Sequence, residues 1–388
     1  MIGAGVFSAF APAAQAAGSW LLLGLVIAAV VAFCNATSSA QLAAEFPEAG
    51  GTYVYGRRML GDWWGFAAGW SFVIGKTASC AAMALTFAAY AAPTGWEKPI
   101  AVVAVVGLVT VNLFGVTRTA LLARVIVVIV LVALAIAVAA ASHDGLPSVT
   151  DSTATSPYGV LQSAGILFFA FAGYARIATM GEEVRDPART IPRAITISLL
   201  AAIAVYGVIA VVVLGTLGPT ATAASSAPLA DAVASGGWHW AEPVVRVGAA
   251  AASLGALLSL IAGIGRTSFA MARGGDLPTW LAAVHPRFGV PHRAELVLGA
   301  VVIAVVLVAD LRGAIAFSSF GVLLYYFVAN LAAYRQRHQR RYPRALQVIG
   351  AAACLALVVT LPVAGIAAGV LVLALGLLFR AVRLRTTV

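Results

Sequence analysis

The chain has 388 residues, of which 62% are hydrophobic and only 10% are charged, and its formal net charge is +10. Soluble domains contain about 45–50% apolar and about 25% charged residues, so this composition excludes a soluble protein. The positive charge does not indicate nucleic-acid binding, because the basic residues cluster between alternate apolar runs, as the positive-inside rule describes.

The predicted membrane helices correspond to apolar runs in the sequence. Many of them reach roughly 20 residues, the length that crosses ~30 Å of hydrocarbon as a helix. A transmembrane β-barrel would show short alternating strands instead, so the sequence predicts an all-α, polytopic membrane protein. The runs cover residues 2–16, 20–44, 64–92, 99–116, 120–142, 158–183, 194–218, 243–272, 294–310, 313–334, 345–361 and 363–383.

Arginines mark one side of the predicted membrane. They follow the second, sixth, eighth and tenth runs, lie around the gap between the fourth and fifth, and end the chain. The opposite loops, 16–19, 142–157 and 218–240, contain no Lys or Arg, and those near Lys98 and Arg312 contain one each. The positive-inside rule therefore places the C-terminus in the cytoplasm and the protein in the cytoplasmic (plasma) membrane.

The first run is interrupted by Gly3-Ala4-Gly5. Glycine lets the backbone leave the helix and bring N–H groups close to a ligand. The helix that restarts there points its positive dipole end at the break, which suits a carboxylate. Close packing of small residues between membrane helices is the alternative interpretation.

The second run ends in a turn on the cytoplasmic face, Glu45–Tyr55, which contains a proline and paired glycines. Proline cannot continue the helix, and glycines favour a tight turn. This turn is either an inner gate or a purely structural feature.

The segment Phe168–Arg193 begins as an apolar helix, loosens at Ala172-Gly173 and carries Arg176 at membrane depth. In lipid, a helix break is tolerated only where it lines a cavity or is buried in protein. We therefore predict that this segment forms half of a substrate site. Because the break lies five runs after Gly3–Gly5, the two Gly-interrupted segments suggest an inverted repeat.

Lys76, in the third run, is a second intramembrane cation. Such groups are functional candidates because they are costly in a membrane. Lysine can exchange a proton whereas arginine stays charged, so Lys76 is the predicted proton carrier. Arg176 suits a fixed counter-charge or a substrate carboxylate. A structural ion pair, or hydrogen bonds to helix carbonyls, is the alternative for each.

In combination, several motifs resemble the amino acid–polyamine–organocation (APC) superfamily of permeases, here the amino acid permeases. They are IGAGVF at 2–7, FPEAGGTYVY at 46–55, FFAFAGYARIATMGEEVRDPARTIPRAI at 168–195, and RTSFAMARGGDLP at 266–278 followed by HPRFGVPHR. The resemblance covers essentially the whole chain. It implies a LeuT-type fold of two inverted five-helix repeats plus two C-terminal helices, in a single domain 1–388 divided into 1–142, 158–334 and 345–388.

The resemblance also implies the site. The substrate carboxylate would meet the backbone of Gly3, Ala4 and Gly5. The α-ammonium would meet carbonyls around Phe168, Phe171 and Ala172, at the Ala172-Gly173 break. Aromatic side chains such as Phe171 and Tyr174 would wall or gate the pocket.

Two features depart from the family pattern. Met1 lies almost on the first break, so the first helix is expected to be N-terminally truncated, either by a gene model that starts at an internal codon or by a true truncation. Some proton-coupled relatives carry a lysine on the fifth helix, whereas the fifth run here has Arg124 and no lysine.

The predicted function is secondary active transport of an amino acid or related amine by alternating access, with proton coupling as an additional hypothesis. An exchanger, an efflux permease, a channel and a non-transporting solute sensor stay open. No enzyme is expected, because the acidic residues lie mainly in loops or at run ends. No metal or other cofactor is expected, because neither a metal-ligand spacing nor a phosphate-binding loop occurs in the sequence. The expected partners are the amino acid or amine, the lipid bilayer and, for coupling, protons.

Overall fold

The computed structural model describes residues 2–48, 50–115, 119–143, 156–178, 184–338 and 340–386, with the side chains of 119–123, 176, 178 and 386 left out. Within these ranges every regular element is a helix and no strand occurs. The helices are α1 (Gly5–Ser8), α2 (Phe10–Ala17), α3 (Leu21–Glu45), α4 (Thr52–Leu60), α5 (Asp62–Ala91), α6 (Glu97–Leu113), α7 (Thr119–Ala141), α8 (Pro157–Phe171), α9 (Tyr174–Ala178), α10 (Pro187–Ala224), α11 (Pro228–Ser235), α12 (Glu242–Arg273), α13 (His292–Val308), α14 (Leu311–Arg335), α15 (Arg344–Thr360) and α16 (Val363–Thr386), with 3-10 turns at Gly18–Trp20 and Thr279–Ala282.

The long helices have the length and composition of membrane spans. In the described part of the chain seven segments meet both criteria: Phe10–Glu45, Asp62–Ala91, Arg124–Ala141, Pro187–Ala224, Glu242–Arg273, Leu311–Arg335 and Val363–Arg385. Two shorter apolar helices, Pro157–Phe171 and Arg344–Thr360, accompany them. The prediction of an all-α, polytopic membrane protein is confirmed. The division into two repeats and two extra helices stays a prediction.

Large aliphatic side chains cover the outer surface of the helices. Val103, Ile197, Val359 and Leu371 are all more than half exposed. In water such a surface would be unfavourable, because apolar area gains free energy by leaving water. The outer surface is therefore suited to lipid.

Helices α5 and α14 cross at two glycines, and this crossing fixes the depth of the candidate site. A β-carbon on Gly321 would lie 2.7 Å from the Cα of Gly75, so a side chain would not fit there. One turn further along α5, the hydroxyls of Ser79 and Ser318 are 2.6 Å apart. Small residues and polar contacts of this kind hold membrane helices together. Lys76 follows Gly75 directly and is thereby held in the interior.

Candidate functional site

The Gly3–Gly5 segment, where the sequence predicts a break, leads into the start of α1. Ala4 is fully buried, α1 begins at Gly5, and Ala9 between α1 and α2 keeps helical dihedral angles, so the two segments form one bent helix. A β-carbon on Gly5 would lie 2.5 Å from the Cα of Ala170 in α8, whereas one on Gly3 would lie 3.3 Å from the β-carbon of Ala256 in α12. Only glycine therefore fits between α1 and α8.

The break in the sixth run separates α8 from α9. Helix α8 ends at Phe171, Ala172 caps it with φ −68° and ψ 7°, and α9 begins at Tyr174. The last carbonyls of a helix lack partners within that helix. Since Ala172 is buried, these carbonyls need other donors.

Side chains from two other helices satisfy the carbonyls at the end of α8. The hydroxyl of Tyr206 in α10 donates a hydrogen bond to the carbonyl of Ala170 at 3.0 Å. The ammonium of Lys76 in α5 donates one to the carbonyl of Ala172 at 2.9 Å. Lys76 is only 4% exposed, and in the described ranges no carboxylate forms an ion pair with it. The cation thus lies at the negative end of the α8 dipole.

Aromatic rings enclose the sixth-run break. Tyr326 of α14 packs against Tyr174 with ring centroids 4.9 Å apart and meets Phe168 edge-on at 5.8 Å. Phe171 packs against Tyr206 at 5.1 Å. Phe168, Phe171 and Tyr174 are fully buried, whereas Gly173 at the break is partly exposed.

A tyrosine of α5 also contacts α1. The hydroxyl of Tyr90 in α5 donates to the carbonyl of Phe7 at 2.9 Å, and the two rings meet edge-on at 5.7 Å. One helix, α5, therefore contacts α1 through Tyr90 and the break after α8 through Lys76.

The structure brings several of the predicted residues together. Gly5 packs beside α8, and Lys76 bonds to Ala172, although the sequence assigned the two to separate hypotheses. Of Arg176, only the backbone, in α9, is described, and its side chain lies outside the described residues.

Sequence reasoning missed three tyrosines, Tyr90, Tyr206 and Tyr326. Their signal was a hydroxyl within an otherwise apolar run, because a buried Tyr hydroxyl usually has a hydrogen-bonding role. Within the described part of the chain, no group of three or more His, Cys, Asp and Glu side chains is placed to hold a metal ion.

A buried polar cluster lies at the other end of α5, where the Glu45–Tyr55 turn leads into α4. Asp276, which follows α12, accepts a hydrogen bond from the Tyr53 hydroxyl at 2.8 Å and forms an ion pair with Arg380 of α16. The Arg380 guanidinium stacks over the rings of Trp63 and Phe66 at 5.1 and 5.0 Å. Burial, and then the Asp276 carboxylate, raise the pKa of Tyr53 to about 12, so its hydroxyl stays protonated at neutral pH.

Apolar helices of spanning length, with an interruption between α8 and α9 in the interior, define a multi-pass integral membrane protein. The family model for amino acid permeases matches residues 1–387, so the chain belongs to the amino acid permease family. The resemblance to APC permeases is confirmed.

Similar proteins include an uncharacterized transporter of Mycobacterium tuberculosis H37Rv, Rv1999c, which is 56% identical over 99% of this chain and 88% of its own length. The branched-chain amino acid permease BcaP of Bacillus subtilis is 25% identical over 77% of this chain and 70% of its own. The chloroplastic cationic amino acid transporter 7 of Arabidopsis thaliana is 28% identical over 87% of this chain and 63% of its own.

Proposed function

We propose that this protein is a secondary active transporter that carries an amino acid or related amine across the plasma membrane by alternating access. The observation that supports the proposal is the packing of Gly5, at the start of α1, against Ala170 near the end of α8. Interrupted membrane helices expose backbone N–H and C=O groups at a depth where water is absent. Those dipoles can bind a zwitterion without a full protein charge.

Each break would recognise one end of the solute. The amides of Gly3, Ala4 and Gly5, near a helix start, suit a carboxylate. The carbonyls at the end of α8, up to Ala172, suit an ammonium because the helix dipole is negative there. Phe168, Phe171, Tyr174 and the Ala172-Gly173 break would form the remaining wall.

The buried cluster around Asp276 would close the cytoplasmic side. It joins α4, the start of α5, the loop after α12 and α16 through buried polar contacts. The arginine-rich loops, including the one after α14, support a cytoplasmic location for this side and for the C-terminus.

Proton coupling is part of the proposal, with Lys76 as the proton carrier. Its burial and its single carbonyl acceptor support this role, because a lysine without a counter-charge in the membrane can exist in either protonation state. If Lys76 carries the coupling proton, Lys76→Ala abolishes transport driven by a proton gradient. Unchanged pH dependence of uptake would exclude Lys76 from this role.

The relatives' names point to a broad substrate panel. One relative is named for branched-chain and another for cationic amino acids, so both classes belong in the panel, together with acidic amino acids and amines. The test is uptake and counterflow in proteoliposomes, together with binding to the purified chain. Transport without catalysis predicts that each solute is recovered chemically unchanged.

The outcomes separate the competing functions. Saturable counterflow supports a carrier and excludes a channel, and its direction and driving force separate uptake, exchange and efflux. Binding without flux would identify a solute sensor. The transport proposal is wrong if the whole panel shows neither uptake, exchange nor binding.

Matched glycine variants test the site. Gly5→Ala places a methyl group against the Ala170 backbone and is expected to abolish uptake. Gly207→Ala in α10, where nothing lies within 4 Å of the added carbon, is expected to leave uptake intact. Equal uptake by both variants would contradict a site at the junction of the breaks.

A further inference from the structure

The side-chain ammonium of Lys76 is bound by a main-chain carbonyl of the protein. Its Nζ donates to the Ala172 carbonyl at 2.9 Å, at the end of α8 where the helix dipole is negative. The neighbouring carbonyl of Ala170 is already bonded by the Tyr206 hydroxyl. The Ala172 oxygen is the acceptor that this cation uses, and it is one of the carbonyls proposed for the solute ammonium.

In the described part of the chain, no carboxylate forms an ion pair with Lys76 to compensate its charge. Among the described residues, Cys80, one turn further along α5, is the ionisable side chain that acts on Lys76 electrostatically. Tyr325 of α14 packs against Phe72, one turn before Lys76.

Other ionisable side chains on the described parts of the elements packed against α5 interact with partners other than Lys76. Glu295 of α13 interacts with Arg266 of α12. Arg246 bonds to the Tyr90 carbonyl towards one end of α5, and Arg57 and Arg380 contact its other end, at Asp62 and Phe66. The Ala172 carbonyl is thus the main partner of the charged form.

We propose that Lys76 holds the place of the solute ammonium in the empty carrier, and that a solute ammonium displaces it with release of the Lys76 proton. This inference rests on the proposed transport function. The Nζ–H···O bond to Ala172 breaks, and an N–H···O bond from the solute to the same oxygen forms. Lys76 changes from –NH₃⁺ to –NH₂, its proton passes to water, and the solute keeps all its protons.

The release follows from the loss of the acceptor. Two cations at one carbonyl repel each other strongly in a medium of low dielectric constant. A buried cation that has lost its partner becomes neutral instead of remaining charged. Binding of an ammonium-bearing solute should therefore release about one proton, and its dissociation constant should fall about tenfold per pH unit while Lys76 is protonated in the empty carrier.

The experiment is calorimetric titration of the purified full-length chain in two buffers of different ionisation enthalpy, at several pH values. The probes are L-leucine and L-arginine. Each is paired with its analogue without the α-ammonium, 4-methylpentanoate and 5-guanidinopentanoate. The amino acids should release about one proton per molecule bound, and the analogues should release none.

Three variants sharpen the test. Lys76→Met should still bind the amino acids, but without proton release and with a dissociation constant that does not vary with pH. Lys76→Arg, whose guanidinium does not deprotonate, should bind about tenfold or more weakly than Lys76→Met. Lys98→Met is the matched control, because the exposed Lys98 also donates to a main-chain carbonyl, that of Leu307, and should behave as wild type.

The outcomes are separable. If the wild type binds and transports an amino acid without proton release, this inference is overturned and the transport function stands. If the wild type neither binds nor transports any probe or panel member, the proposed function fails first, and this inference with it. The comparison of wild-type binding in the two buffers measures proton release directly, so it tests this inference even where a Lys76 variant does not fold.

Discussion

Arg380, near the end of the last helix, forms a buried ion pair with Asp276, which lies 104 positions earlier in the loop after α12. Both side chains are about 95% shielded, and the guanidinium is covered by Trp63 and Phe66. A buried charge pair contributes little net free energy relative to an apolar pair, but removal of one partner leaves an unpaired buried charge. The pair therefore attaches α16 to the loop after α12.

We expect Arg380→Ala to lower the free energy of unfolding by ~3–5 kcal/mol, since it leaves the Asp276 carboxylate buried without its main counter-charge. Thermal unfolding of the purified protein in detergent measures the loss. The double variant Asp276→Asn with Arg380→Met should recover much of it because neither charge remains. Arg385→Ala, at an exposed position on the same helix, is the control and should have little effect.

Alkaline pH should weaken the same cluster through Tyr53. Its pKa is raised from 10.0 to about 12, first by burial and then by the Asp276 carboxylate. A group whose pKa is raised on folding stabilises the fold fully below its unfolded pKa and loses that contribution as pH rises through the folded value. The stability advantage of wild type over Tyr53→Phe should therefore be constant below pH 10 and shrink from there towards pH 12.

Denaturant titrations of both proteins across this range measure that difference. Because other tyrosines titrate equally in the two proteins, their contribution cancels. A difference that grows with pH would contradict the assigned role of Tyr53.

The crossing of α5 and α14 should tolerate no side chain. Gly321→Ala would place its β-carbon 2.7 Å from the Cα of Gly75, so the helices must separate, and we expect a loss of ~1–3 kcal/mol. Gly107→Ala in α6 makes no contact within 4 Å and replaces a poor helix former, so it should be neutral or stabilising. Thermal unfolding of both variants gives the comparison, and equal stabilities would show that the crossing is not tightly packed.

The sequence predicted the helices and the break between α8 and α9 better than the contacts between helices. The third run was predicted over 64–92 and α5 covers Asp62–Ala91, because a long apolar run has one stable conformation in lipid. The break at Ala172-Gly173 was predicted because a glycine interrupts the apolar run at that point. The bond from Lys76 to Ala172 spans 96 positions and depends on helix rotation and depth. Hydropathy carries no information about either, since the faces of α5 are apolar almost all round.

The run predicted at 194–218 shows a second limit of prediction from hydropathy, which concerns the ends of helices. Helix α10 extends over Pro187–Ala224, beyond the apolar stretch at both ends, and bends at Gly218, where φ is 74°. Helix ends outside the hydrocarbon are not required to be apolar, so hydropathy does not mark them. Likewise, Tyr206 within this helix appeared as one more aromatic residue, and only its position beside Ala170 gives it a role.

Tyr206 contacts the end of α8 at the candidate site, and its hydroxyl can be removed without loss of the ring. In Tyr206→Phe the contact with Phe171 at 5.1 Å is retained, whereas the Ala170 carbonyl loses its donor. An unsatisfied buried carbonyl costs ~1–3 kcal/mol, so we expect a loss of stability in this range. Tyr158→Phe, at an exposed position at the start of α8, is the control and should not change stability. Because the freed carbonyl belongs to Ala170, which packs directly against Gly5, amino acid binding should also weaken in Tyr206→Phe. An unchanged binding constant together with reduced stability would restrict Tyr206 to a structural role.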